Sequence, residues 1–371
     1  MDATDTLRSD VLRYIRRGMR ASVDDETFNR LATAAFQRQF AENEPYRRYC
    51  ERRDATPGRV DHWSTIPAVP TAAFKSAALF CGDPATAEIA FRTSGTSQGP
   101  ENRGTHYVGD LSFYRAAALP NFKAHLLPDA SQLSMVILAP SPRLASDSSL
   151  SWMLGAVKKE FGSEDSVHFV DQDGLRLDPL LTTLAESEAK QKPVMLLGTA
   201  AAYAHLLEVL DERGRRFELP CGSRLMETGG FKRRRRDIPK REFYVWLEER
   251  LGIPEPYCVA EYGMTEMCSQ FYDNVLRERA RGRPPLLRYK TVAPWIRTQV
   301  VDAETLEPLP AGRIGVLRHF DLANFDSVLA VQTDDLGLAA AEGGFEILGR
   351  AVGAEARGCS IAMDQWLTAQ N

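Results

Sequence analysis

Between residues 131 and 262 the sequence repeats one pattern: a short apolar run, then a longer stretch with apolar residues at helical spacing. The runs are LSMVILAP, VHFVD, VMLLGT, SRLMETGG and CVAEY, and AAYAHLLEVLDERG is one of the stretches between them. A strand with one wet face alternates apolar and polar residues, whereas these runs do not. They read as buried parallel strands of an α/β fold, covered by helices on both faces. In open sheets of this kind ligands gather at the carboxyl ends of the strands. That rule places Gly198 and Thr199, Gly229 and Gly230, and Tyr262 to Glu266 on one rim.

Two stretches carry the chemistry. CVAEYGMTE, Cys258 to Glu266, reads as a strand entering a turn that holds Glu261, Tyr262, Gly263, Thr265 and Glu266. Tyr262 can offer a ring face to a purine, Thr265 a hydroxyl to a phosphate, and Glu266 a hard oxygen ligand to Mg²⁺. The bland alternative is a strand end followed by an ordinary polar turn. FRTSGTSQGP, Phe91 to Pro100, follows the apolar Ile89 to Phe91 with hydroxyls and glycines. Thr93, Ser94, Thr96 and Ser97, with the backbone freed by Gly95, can form a concavity for phosphate oxygens. A Walker A loop needs Gly-Lys-Ser/Thr, and no lysine lies between Lys75 and Lys123. The alternative for this stretch is a flexible linker.

Taken together and in this order, the two stretches resemble the adenylate-forming superfamily, with its TSGTTG-like phosphate loop and downstream Y-G-x-T-E motif. METGGFK, Met226 to Lys232, sits where that family places its glycine pair before the adenine. TDDLG, Thr333 to Gly337, is similar to the family's T-G-D motif with Asp334 in place of the glycine, and Gly349-Arg350 matches its Gly-Arg. IPAVPTAAFKS, TGGFK and the ending RGCS look like the LuxE-type acyl-protein synthetases, relatives of phenylacetate-CoA ligase. The resemblance implies ATP and Mg²⁺ as cofactors, an acyl-adenylate, and a nucleotide site of Thr93, Ser94, Gly95, Thr96, Ser97, Thr228, Gly229, Gly230, Glu261, Tyr262, Gly263, Thr265, Asp335 and Arg350. Glu266 would hold the metal, Asp335 the ribose, and Lys232 the developing charge, with Thr265 assisting catalysis.

The rest of the chain is organised around that core. Residues 1–60 read as a helical segment, with Leu7, Val11, Leu12 and Ile15 at helical spacing, and 61–290 as the α/β core. Shorter strands with turns, 291–350, suggest an antiparallel β subdomain, and 351–371 a short tail. Pro67 and Pro70 impose an extended passage before Phe74 and Lys75. A net charge of −4 over 371 residues gives no global pull towards nucleic acid or an anionic membrane. With no apolar signal core in MDATDTLRSD and no membrane-length apolar run, a cytoplasmic protein is expected. The six cysteines form no C-x-x-C pair, so free thiols are expected. KRRRRDIPKR, Lys232 to Arg241, is the sharpest charge feature. Its Arg233 to Arg236 stretch reads either as a solvated loop or as a dock for an acyl carrier protein, CoA or a downstream acyl-transfer partner.

Departures from the family pattern shape the mechanism. Family members continue past Gly-Arg into a further domain of roughly a hundred residues, the size of a small domain, which supplies a lysine for adenylation. That domain is expected to be lacking here, and Lys290 is the last lysine of the sequence. LuxE-type proteins hold the acyl group on a cysteine near the C-terminus, which the resemblance puts at Cys359, beside Arg357. The reading is therefore activation of a small carboxylic acid through an acyl-adenylate, then acyl transfer to a thiol. Two alternatives stand beside it: a ligase using an external CoA or carrier-protein thiol, and an inactive binding subunit of an acyl-transfer complex.

Overall fold

The apolar residues at helical spacing that open the chain fold into α1 (Ala3–Arg16), α2 (Asp25–Glu42) and α3 (Glu44–Arg52). Asp24 and Asn43 cap the second and third by accepting from the amides of Thr27 and Tyr46, donors that no helical carbonyl reaches. The structure is a computed structural model and describes residues 3–94, 103–229, 238–341, 343–351, 363, 366 and 367. Chain contacts divide it into two units, the first Met1–Asn121, Met264–Gln270 and Tyr289–Asn371, the second Phe122–Gly263 and Phe271–Arg288.

In the first unit, the proline-imposed extended passage is β1 (Val69–Pro70), followed by a 3-10 turn over Thr71–Lys75. β2 (Ile89–Arg92) and β3 (Thr105–Val108) pair antiparallel, with Arg92 opposite Thr105. The hairpin therefore closes the base of the hydroxyl-rich loop. α4 (Leu111–Leu126) follows, with Pro120 in its interior.

The second unit has the alternation expected of the apolar runs. Its elements are β4 (Ser134–Pro140), α5 (Ser149–Phe161), β5 (Val167–Asp171), β6 (Gly174–Leu175), α6 (Leu177–Ala189), β7 (Val194–Thr199), α7 (Ala200–Glu212), β8 (Arg224–Thr228), α8 (Lys240–Leu251), β9 (Cys258–Tyr262), β10 (Phe271–Tyr272) and α9 (Val275–Ala280). The sheet order is β10-β9-β8-β7-β4-β5-β6. β9, β8, β7, β4 and β5 run parallel, and β10 and β6 are antiparallel edges. Val136, Leu196, Leu225 and Cys258 are fully buried against Leu184, Tyr203, Leu207 and Leu247 of the covering helices. Each such aliphatic side chain contributes about 1.5–3 kcal/mol through its burial. Ser148, one of the serines beside Asp147, caps α5 through the Ser151 amide, and Thr199 caps α7 through the Ala202 amide.

The chain then returns to the first unit as β11 (Ile296–Val301), β12 (Ile314–Asp321), β13 (Ala330–Ala339) and β14 (Phe345–Arg350), each antiparallel to the next, with β1 parallel to β13. This is the expected antiparallel β subdomain. The N-terminal helices grip the connection between β12 and β13. Arg8 and Arg38 pair with Asp326 at 2.9 and 3.0 Å, and Gln39 donates to the Asn324 carbonyl at 2.9 Å. No helix among the described residues is long and apolar enough to cross a membrane.

Candidate active site

In the first unit the stem of the hydroxyl-rich loop is fixed by its own residues. The Thr93 amide donates to the Gly104 carbonyl and the Gly104 amide to the Thr93 hydroxyl, both at 2.9 Å. Arg103 donates to the carbonyls of Thr93 and Arg92. A Cβ on Gly104 would crowd Thr93 Cγ2 at 3.2 Å while meeting Phe74 and Lys75 at ordinary contact distances of 3.4–3.5 Å. Ser94 is exposed at the loop's entry. Gly95, Thr96 and Ser97 lie outside the described residues, as do Gly230, Lys232, Arg233 to Arg236 and Cys359.

The Thr265–Glu266 turn, also in the first unit, is held by its carbonyls. His106 Nδ1 donates to the Thr265 carbonyl at 2.8 Å, and Asn324 Nδ2 to the Glu266 carbonyl at 2.9 Å. Asn324 Oδ1 in turn accepts from the Cys268 amide at 2.8 Å. The Glu266 side chain is 8% exposed. Burial pushes its carboxyl up to about 7; its own amide, Arg350 and Lys75 oppose that rise, and Asp334 adds to it.

TDDLG lies within β13. The Asp335 amide donates to the Thr333 hydroxyl at 3.1 Å, and that hydroxyl donates to the Leu317 carbonyl at 2.8 Å. Across the strand pair Asp335 faces Arg350, with Arg350 Nε 3.4 Å from Asp335 Oδ1.

In the second unit β8 and β9 end side by side. Thr228 and Glu261 are partners in register, both buried, and the Thr228 hydroxyl donates to the Glu261 carboxylate. Gly229 follows with φ +71°, the left-handed region that glycine enters without strain. Tyr262 ends β9 half-buried, its ring centroid 5.8 Å from that of Phe271 and tilted by 32°. Beneath this edge Glu227 is buried, accepts from Tyr244 and pairs with Lys240 Nζ, both at 3.1 Å.

The structure thus brings Thr93, Ser94, Thr265, Glu266, Asp335 and Arg350 into the first unit, and Thr228, Gly229, Glu261, Tyr262 and Gly263 into the second. Sequence reasoning missed His106, Asn324, Glu227 and Lys240. A lone histidine or asparagine gives no signal when its partner is 159 or 58 residues away.

Four of the described cysteines, Cys50, Cys81, Cys258 and Cys268, are buried, and burial pushes all four thiols up, Cys50 and Cys81 to about 12. They are poor nucleophiles at neutral pH. Cys221 is exposed but precedes the amino end of β8, opposite the end that carries Thr228.

The family model described as "Acyl-protein synthetase, LuxE" matches residues 11–368. The chain belongs to the LuxE acyl-protein synthetase family. It is thus a ligase that forms an acyl-adenylate from ATP and a carboxylic acid and passes the acyl group to a thiol. Two curated LuxE-type relatives are named long-chain-fatty-acid–luciferin-component ligase. The one from Vibrio harveyi is 25% identical over 357 residues, covering 92% of this chain and 89% of that protein. The one from Aliivibrio fischeri is 22% identical over 320 residues, covering 84% and 79%. Among solved structures, 2-hydroxyisobutyryl-CoA ligase in its postadenylation state has a TM-score of 0.64 at 16% identity, covering 94% of this chain and 74% of that one. That likeness agrees with the adenylate-forming fold expected from the motifs.

Proposed function

We propose that this LuxE-family chain activates a long-chain fatty acid with ATP and Mg²⁺ and takes the acyl group onto its own Cys359. The observation that carries the reading is Glu266. A carboxyl this buried beside Lys75 and Arg350 suits a site that receives a polyphosphate together with its metal. No group of three or more His, Cys, Asp or Glu able to hold a metal occurs among the described residues. Mg²⁺ takes one or two carboxylates and fills its remaining positions with phosphate oxygens and water, so Glu266 would supply one such ligand. When bound, Mg²⁺ would neutralise phosphate charge as the pyrophosphate leaves.

The residues divide the work by chemistry. Tyr262 offers a ring face to the adenine, beside Thr228, Gly229, Gly230 and Glu261. Asp335 accepts from the ribose hydroxyls and Arg350 supplies a fixed cation. Thr93, Ser94, Gly95, Thr96, Ser97 and Thr265 would serve the phosphates, the role their motifs imply. Lys232 or Lys75 stabilises the charge that develops at the α-phosphate, the place where a fixed cation lowers the barrier most. The fatty-acid carboxylate oxygen attacks the α-phosphorus, the bond to the bridging oxygen breaks, and pyrophosphate departs. The Cys359 thiolate then attacks the acyl carbon, the carbon–oxygen bond to AMP breaks, and a thioester remains. The high thiol pKa values of the buried cysteines and the position of Cys221 favour Cys359 as acceptor. The relatives' name favours a long-chain acid. Arg233 to Arg236 would receive the partner that takes the acyl group onward.

Intact-protein mass spectrometry after incubation with ATP, Mg²⁺ and acids of graded length, comparing wild type with Cys359→Ser, tests this. An adduct that hydroxylamine removes and the substitution abolishes is the expected result. Pyrophosphate release without an adduct would give the acceptor role to an external thiol, and no release at all would leave a binding subunit.

A further inference from the structure

Beyond these roles, we infer that His106 is a positioning residue for adenylation, setting the Thr265–Glu266 turn through a single hydrogen bond to the Thr265 carbonyl. The inference rests on the reading of Thr265 and Glu266 as the phosphate and magnesium end of the site. His106 stands on β3 opposite Phe91, so it belongs to the stem that closes the hydroxyl-rich loop. It is 1% exposed, and its ring lies edge-on to Phe74 with centroids 5.7 Å apart. Its Nδ1 is 2.8 Å from the Thr265 carbonyl oxygen. A carbonyl only accepts, so Nδ1 carries a proton, and in the neutral ring the lone pair is then on Nε2.

Chemistry explains the residue type. A lysine or arginine at this depth would bury a charge, and an aliphatic side chain would leave the turn's carbonyl without this donor. Burial lowers the His106 pKa to about 4, so the imidazole stays neutral through the working range and holds the turn without titrating. Asn324 holds the next carbonyl. Two side chains on separate segments therefore determine where the Thr265 hydroxyl and Glu266 carboxyl stand. His106 links that position to the stem of the phosphate loop, so a shift of either end reaches the other.

The test compares His106→Asn, whose amide nitrogen is as many bonds from Cα as Nδ1, with His106→Gln, whose nitrogen is one bond further, and His106→Leu, which has none. Two readouts are taken on the full chain: acid-dependent pyrophosphate release, and hydrogen exchange at Met267 and Cys268, whose amides bond to the Met264 carbonyl and Asn324 Oδ1. The expected result is a fall of about ten- to a hundredfold in kcat for His106→Leu, with faster exchange confined to 264–268. His106→Asn restores both readouts, and the pH profile keeps its wild-type shape. If His106→Leu does not fold, the Asn and Gln variants carry the comparison, with Asn close to wild type and Gln impaired. Unchanged exchange in His106→Leu, or Asn and Gln impaired alike, overturns the inference. If wild type releases no pyrophosphate, the adenylation reading fails, and the exchange pattern still decides whether His106 positions the turn.

Discussion

Asp335 and Arg350 face each other across β13 and β14 as partners in register, with Arg350 Nε 3.4 Å from Asp335 Oδ1. The Arg350 side chain is 58% exposed, so solvent screens the pair and its contribution to folding is small, about 0–1 kcal/mol. Its proposed use is to present a carboxylate and a guanidinium together to the ribose. Asp335→Ala should raise KM for ATP about ten- to a hundredfold, the worth of hydrogen bonds to a charged group. The thermal midpoint should stay nearly unchanged. Initial rates over a range of ATP concentrations, with a melting curve for each protein, check this.

If Glu266 holds the metal as proposed, metal use should depend on pH. With its carboxyl pushed up to about 7 by burial, a proton would compete with the proposed Mg²⁺ for the same oxygens. The Mg²⁺ concentration for half-maximal rate should fall as pH rises from 6 to 8. Glu266→Gln should require more Mg²⁺ and lose that slope. Magnesium titrations at each pH, scored by pyrophosphate release, supply the comparison.

Asp321 gives a stability prediction independent of catalysis. It is fully buried, accepts from Ser269 Oγ and the Ala323 amide at 2.9 Å, and burial raises its pKa from 3.8 to about 7. Between those values the folded chain keeps a proton that the unfolded chain has released. This contribution is therefore complete below about pH 4 and lost as pH rises through about 7. At about 1.4 kcal/mol per unit the total is on the order of a few kcal/mol. Asp321→Asn keeps an acceptor oxygen and cannot ionise. It should be close to wild type at pH 4 and more stable at pH 8, as read by urea midpoints.

The Thr228–Glu261 contact couples the ends of β8 and β9. Thr228→Val removes the hydroxyl and should cost about 1–3 kcal/mol, whereas Thr228→Ser keeps the donor and most of the stability. Denaturant titrations of the two variants separate the hydrogen bond from the side-chain volume.

The sheet of the second unit was legible because its strands are short and buried on both faces, so Val136, Leu196 and Leu225 sit in unbroken apolar runs. The motif residues were legible because each lies within a few positions of its partners in the chain, as from Tyr262 to Glu266. What holds them was not. His106 reaches Thr265 across 159 positions and Asn324 reaches Glu266 across 58, and no local pattern encodes either contact. TDDLG has turn-like composition yet lies inside β13, because pairing with β12 and β14 overrides local preference. The raised pKa of Glu266 comes from burial, which no reading of its neighbours in the chain supplies.

The central claim is acid activation by adenylation, and the most direct measurement is pyrophosphate release by the full chain with ATP, Mg²⁺ and fatty acids of increasing length. The account predicts release that needs both acid and Mg²⁺ and is greatest with long-chain acids. No release with any acid, at saturating ATP and Mg²⁺, would contradict it.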